Sequence, residues 1–165
     1  MKKILFFALF ILSIMNVAAQ NKMSYQGEVG IGYGFGMGDE SINRLYVETI
    51  HGIRFNSHLF AGLGVGLASF DDENATIPLF VDVKGYLTKG LIKPYLFANL
   101  GYGLGDKSGF YGAGGFGIDV NISQKCGLYL NLGYQSQGLR NNVDDSGFYG
   151  PSNVGAFLLQ LGCRF

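Results

Sequence analysis

An alternation of period two runs through the chain from Met23 to Phe165, and it excludes most architectures at once. From Met23 to Gly38 the odd positions are Met23, Tyr25, Gly27, Val29, Ile31, Tyr33, Phe35 and Met37. The even positions are Ser24, Gln26, Glu28 and then glycine at every second residue. Side chains of a strand point alternately to its two faces, so this segment has one apolar face and one polar or bare face. Beyond the first nineteen residues no helical stripe of period 3.6 is sustained.

The same pattern recurs seven more times. A second strand over 43–55 places Leu45, Val47, Thr49, His51, Ile53 and Phe55 opposite Glu48, Gly52 and Arg54. A third, 59–69, sets Leu59, Ala61, Leu63, Val65 and Leu67 against Gly62, Gly64 and Gly66. A fourth, 76–87, sets Ile77, Leu79, Val81, Val83 and Leu87 against Asp82 and Lys84. The fifth, 94–105, opposes Leu96, Ala98, Leu100, Tyr102 and Leu104 to Asn99 and glycines. The sixth, 109–122, opposes Phe110, Phe116, Ile118, Val120 and Ile122 to Tyr111, Asp119 and Asn121. The seventh, 126–137, opposes Leu128, Leu130, Leu132 and Tyr134 to Asn131, Gln135 and Gln137. The eighth, 152–165, opposes Phe157, Leu159, Leu161, Cys163 and Phe165 to Gln160 and Arg164.

Eight strands of this length suit a bilayer, where about 9–11 tilted residues cross the apolar band. The joints at 56–58, 88–92 and 123–125 read as short turns on one side. Those at 39–42, 71–75, 106–108 and 138–151 read as loops on the other, with Asp71, Asp72 and Glu73 among them. Parity fixes one turn in detail. The outward residues of strands two and three are all odd, so facing residues must sum to an even number, which a three-residue turn Asn56-Ser57-His58 provides.

The two faces decide the solvent. The apolar face carries large side chains in every strand; the other carries many glycines and some charges. With Leu, Ile and Phe outside and glycines and charges inside, such a chain would not be stable in water. In lipid the arrangement is favourable, and closure satisfies every backbone group where no water is present. The expected fold is therefore all-β: an eight-stranded antiparallel up-and-down transmembrane β-barrel. Tyr25, Phe35, Phe55, Phe110, Tyr134 and Phe165, outward near strand ends, would form interfacial girdles.

Lys2 and Lys3, an apolar run from Ile4 to Met15, and Val17-Ala18-Ala19 before Gln20 have the layout of a secretory signal peptide. The expected organisation is a signal peptide over 1–19 and a barrel over 20–165, with both ends of the mature chain in the periplasm. Removing Lys2 and Lys3 leaves ten basic side chains against twelve acidic ones. No basic excess points to nucleic acid. Gly is abundant, at 27 residues, but it comes with 24 Tyr and Phe and only 3 Pro, which fits dense sheet rather than disorder.

The terminal stretch LLQLGCRF alternates and stops on Phe165, and the whole pattern resembles the small outer-membrane β-barrel (porin-like) domain family of Gram-negative bacteria. The AAQ junction and the segment VETIHGIRFNSHLFAGLGVGL resemble Bacteroidota members. The resemblance implies outer-membrane lipid and lipopolysaccharide as surroundings. It also implies the barrel-assembly machinery as a partner through the strand ending at Phe165. It carries no catalytic signature and no cofactor.

Candidate sites are few. The glycine strings GVGIGYGFGMG and GLGVGLASF lack the helix that a phosphate loop needs, and read as bare lumen positions that leave room for opposite side chains. His51 is placed facing lipid and His58 beside Ser57 in a turn, so a lipid-modifying His-Ser site is not assembled, and two histidines make no metal site. Glu28, Glu48, Arg54, Asp82, Lys84, Asp119 and Arg164 face inward and should neutralise one another as a plug. Within it the expected pairs are Glu28–Arg54, and Lys84 with Glu48 or Asp82. Cys126 and Cys163 would face each other if the long loop closed symmetrically, permitting a disulfide. That loop, with Arg140, Asp144, Asp145, Phe148 and Tyr149, is the candidate surface for a partner the sequence does not name. The expected function is non-enzymatic, structural or surface-interacting, with a narrow solute or ion channel as the alternative and a lipid-modifying enzyme as a weaker one.

Overall fold

A computed structural model describes residues 23–37, 42–70, 75–105, 108–123, 125–139 and 152–165. The strands are β1 (Ser24–Met37), β2 (Arg44–Arg54), β3 (Leu59–Phe70), β4 (Ala75–Tyr86), β5 (Ile92–Gly105), β6 (Gly109–Asn121), β7 (Gly127–Leu139) and β8 (Ser152–Arg164). Each pairs antiparallel with its sequence neighbour, and β8 closes on β1. The predicted signal peptide lies outside the described residues, as do Asp71, Asp72 and Glu73 and the loop residues Arg140, Asp144, Asp145, Phe148 and Tyr149.

The register fixes the barrel's shape. Following facing residues around the sheet leads from Gln26 to Gly52, Gly62, Asp82, Asn99, Ala113, Gln135 and Ala156, and back onto β1 at Gly36. The circuit is displaced by ten residues along β1. For eight strands this stagger implies a tilt of about 40° and a backbone radius of about 8 Å. Such a bore is wide enough for side chains to meet across it.

The tight turns are locally encoded. Asn56 Oδ1 accepts from the backbone N–H of His58 at 2.7 Å and of Leu59 at 2.8 Å, and Phe55 N–H donates to Leu59 O at 3.0 Å. This closes the three-residue turn that parity requires. The β6–β7 turn uses Ser123 the same way, its Oγ accepting from Cys126 N–H at 3.1 Å. Gly90, in the β4–β5 turn, has φ of 147°, where a side chain would be strained.

The exterior is an apolar band that includes Ile31, Leu63, Leu79, Leu100 and Leu161, all exposed. The glycine-bearing face is the lumen, but it is far from bare. Phe60, Phe80, Phe97, Tyr46, Tyr86, Tyr95, Tyr111 and Tyr129 are buried within it. The sequence pattern put Tyr111 on that face, among glycines and charges, but missed the other seven rings. The two sets are complementary: a Cβ on Gly64 would strike the Phe80 ring, one on Gly32 the Tyr46 ring, and one on Gly117 the Tyr95 ring. Glycines across from large rings let the narrow bore fill to interior density.

Two registers differ from expectation. The Glu28–Arg54 pair expected from the sequence needs Arg54 to face Gln26, the diagonal neighbour of Glu28; Arg54 instead faces Ser24, so β2 is shifted by two residues against β1. Cys163 faces Leu128, so Cys126 lies two residues beyond the facing position, and both cysteines are free and exposed. The disulfide expectation for Cys126 and Cys163 is corrected accordingly. A shift of two preserves which face each side chain takes, so the apolar pattern cannot exclude it.

Candidate functional site: a charged, ring-lined lumen

Every charge assigned inward from the sequence lines the lumen, and all but the half-buried Arg54 are buried. The centre is Lys84, whose side chain is 1 % exposed. Its Nζ is ion-paired with Glu28 Oε2 and, at 3.2 Å, with Asp82 Oδ2. The rings of Phe60, Tyr95 and Tyr129 stand 5.2–5.6 Å from the same ammonium. Glu28 also accepts from Gln26 Nε2 at 2.7 Å, and Asn99, with its amide turned to donate, reaches Asp82 Oδ1 at 2.6 Å. The expected Lys84–Asp82 contact is present. The expected Glu28–Arg54 pair is not: β1 meets β4 across the bore, and Glu28 is taken by Lys84.

Glu48 lies beside Gly66 on β3 and Gly30 on β1, and it accepts from Gln160 Nε2 at 2.6 Å. The chain continues through Asn131 Nδ2 to Gln160 Oε1 at 2.9 Å and from Tyr95 OH to Asn131 Oδ1 at 2.5 Å. A continuous polar path thus crosses β2, β8, β7 and β5, with two neutral amides joining the Glu48 carboxylate to the Tyr95 hydroxyl.

At the end of the barrel where β1 begins and β8 ends, Arg164 donates through Nε to Asp119 Oδ2 at 2.8 Å and through Nη2 to Asp119 Oδ1 at 3.3 Å. Arg54 donates to Gln26 Oε1 at 2.9 Å and lies over the Tyr86 ring, 4.1 Å from its centroid. At the other end Arg44, missed in the sequence because it begins its strand beside a loop, is fully buried. Its Nη2 donates to Val154 O at 3.2 Å and its guanidinium lies 5.2 Å from the Phe70 centroid.

The histidines do not join the lumen. His51 is on the outer face, 2.5 Å from Tyr25 OH through Nδ1 and 2.9 Å from Thr49 Oγ1 through Nε2. His58 Nδ1 is 3.2 Å from Ser57 Oγ in the exposed turn, and no carboxylate is among the partners of either ring. Among the described residues no cluster of three or more His, Cys, Asp or Glu could hold a metal.

No protein-family model matches the chain. No curated protein matches it either. Solved structures do. The crystal structure of Neisserial surface protein A superposes with a TM-score of 0.65 at 15% identity, covering 87% of this chain and 98% of that one. The outer membrane protein OprG from Pseudomonas aeruginosa superposes with a TM-score of 0.53 at 8% identity, covering 87% and 95%. At these identities the likeness shows the fold, a closed eight-stranded antiparallel barrel, and nothing about activity.

Proposed function

We propose that the chain is an integral barrel of the outer membrane with a filled, non-conducting lumen, acting through its exterior and its loops in a structural or surface-interaction role. The observation that carries this reading is the Glu28–Lys84–Asp82 centre, buried to 1 % exposure or less, among the rings of Phe60, Tyr95 and Tyr129. An ion crossing the bore would have to break a paired, ring-enclosed ammonium cluster. The apolar exterior supports lipid as its solvent, since exposed patches of this extent are not stable in water. The signal-peptide layout and the strand ending at Phe165 support export, assembly at the outer membrane through the barrel-assembly machinery, and periplasmic termini. Lipopolysaccharide would then surround the loop end. The Bacteroidota character rests on the sequence resemblance alone.

Planar-bilayer recording tests the reading. The expected result is a flat baseline after verified insertion of folded barrel; discrete, reproducible conductance steps would replace the plug with a channel. A non-enzymatic role is part of the proposal, and incubation with labelled lipopolysaccharide should leave its acyl pattern unchanged.

A further inference from the structure

The barrel end that carries Ser24 and Arg164 opens into a vestibule of about 470 Å³. Arg54, Lys93, Lys125 and Arg164 line it, from β2, β5, the β6–β7 turn and β8, and among the described residues no acidic side chain does. One buried carboxylate, Asp119, stands behind it, and Arg164 holds both its oxygens. The local balance is therefore four cations to one carboxylate. A carboxylate on Phe165 at the rim would still leave an excess of two.

Three of the four cations are held in place, and one of them, Arg54, is incompletely used. Lys93 Nζ and Arg164 Nη2 both donate to Asn121 Oδ1, at 2.9 and 2.5 Å, which holds two like charges side by side. Arg54 uses Nε on Gln26, while its Nη2 is buried without a hydrogen-bond partner, the Asp119 oxygen lying 3.9 Å away. Like charges crowded on a blind vestibule repel one another, and an unpaired guanidinium nitrogen there costs free energy that an anion would recover. Gln26, Ser24 and Ser123 add amide and hydroxyl groups to the wall.

We propose that this vestibule binds a small phosphate ester with a hydroxyl-bearing body. The phosphate would lie between Arg54, Lys93 and Arg164, with Lys125 at the rim and the hydroxyls on Gln26 and the serines. The cavity is larger than inorganic phosphate needs, and its walls offer hydrogen-bonding groups beyond the cations. Because the Lys84 centre closes the bore behind it, the site is a receptor for this anion and not a passage. This goes beyond the structural role proposed above; anion binding stands on the vestibule alone, while its being a receptor and not a passage rests on the filled lumen proposed there.

The test is a titration of isotope-labelled barrel in a nonionic maltoside detergent with glucose 6-phosphate, read by nuclear magnetic resonance at the amides of Ser24 and Gln26 and at Arg54 Nε–H. Saturable shifts at those positions are expected, with glucose giving none. R54Q/K93Q should weaken binding about tenfold or more, and the rim variant K125Q about twofold to threefold, both keeping folded-form mobility on gels. Competition by phosphatidylglycerol in nanodiscs would assign the phosphate to a lipid headgroup; its absence would assign it to a soluble ester. The proposal is overturned if no saturable shift appears by about 20 mM, a limit that corresponds to negligible affinity. It is equally overturned if glucose alone gives the same response, or if R54Q/K93Q binds like the wild type.

Discussion

Replacing Lys84 by methionine removes the one ammonium that faces both Glu28 and Asp82, whose side chains are 1 % and 0 % exposed. Methionine keeps the length of the stem and the contact with Phe60 and Tyr129, so packing changes little. What changes is electrostatic: two carboxylates remain in the lumen with, among the described residues, the amides of Gln26 and Asn99 to receive them. Breaking a buried pair by removing one partner costs about 3–5 kcal/mol. With a urea slope of about 2 kcal/mol per molar, the unfolding midpoint should fall by roughly 1.5–2.5 M. The triple variant E28Q/D82N/K84M removes the whole cluster and should recover most of that loss, because uncharged groups of similar shape leave no unpaired ion. The chain has no tryptophan, so unfolding in lipid vesicles is followed by far-ultraviolet circular dichroism and by the fraction keeping folded-form mobility in unheated gels. If K84M shifted the midpoint by less than about 0.5 M, or the triple variant were no better than the single, the cluster would not be the keystone of the lumen.

Other consequences follow from the same geometry. Gly64→Ala should destabilise by about 1–3 kcal/mol through its clash with Phe80, with Phe80→Leu partly relieving it, whereas the outward Gly112→Ala, in ordinary contact with Phe110 at 3.6 Å, should be near neutral. Asn56→Ala, which strips two acceptor contacts from the β2–β3 turn, should cost about 1 kcal/mol in the same denaturation assay. Thiol labelling of unfolded, unreduced protein should find two reactive thiols, while L128C/C126S should oxidise readily to a Cys163 bridge, since position 128 is the one that faces Cys163. A bridge forming instead between Cys126 and Cys163 in the unmodified chain would refute the β7–β8 register.

The period of two, by itself, determined the number of strands, their bounds to within a residue or two, and which side chains share a face, because alternation on a pleated strand leaves no other choice. It placed Glu28, Glu48, Arg54, Asp82, Lys84, Asp119 and Arg164 on the lumen side, and the three-residue turn at Asn56 followed from parity alone. Only the tertiary structure decided which of those charges meet. Strand register can slide by two without turning any residue over, and the β1–β2 and β7–β8 connections are long enough to permit it. Arg54 therefore came to face Ser24, and Cys126 moved off Cys163. Lys84 and Glu28 lie on strands that are not neighbours in the sheet, so their contact exists only because a bore about 8 Å in radius closes with a ten-residue stagger. The lumen rings other than Tyr111 escaped sequence reading for the same reason. An inward Phe looks like a break in the pattern until the glycine that makes room for it on a neighbouring strand is brought alongside.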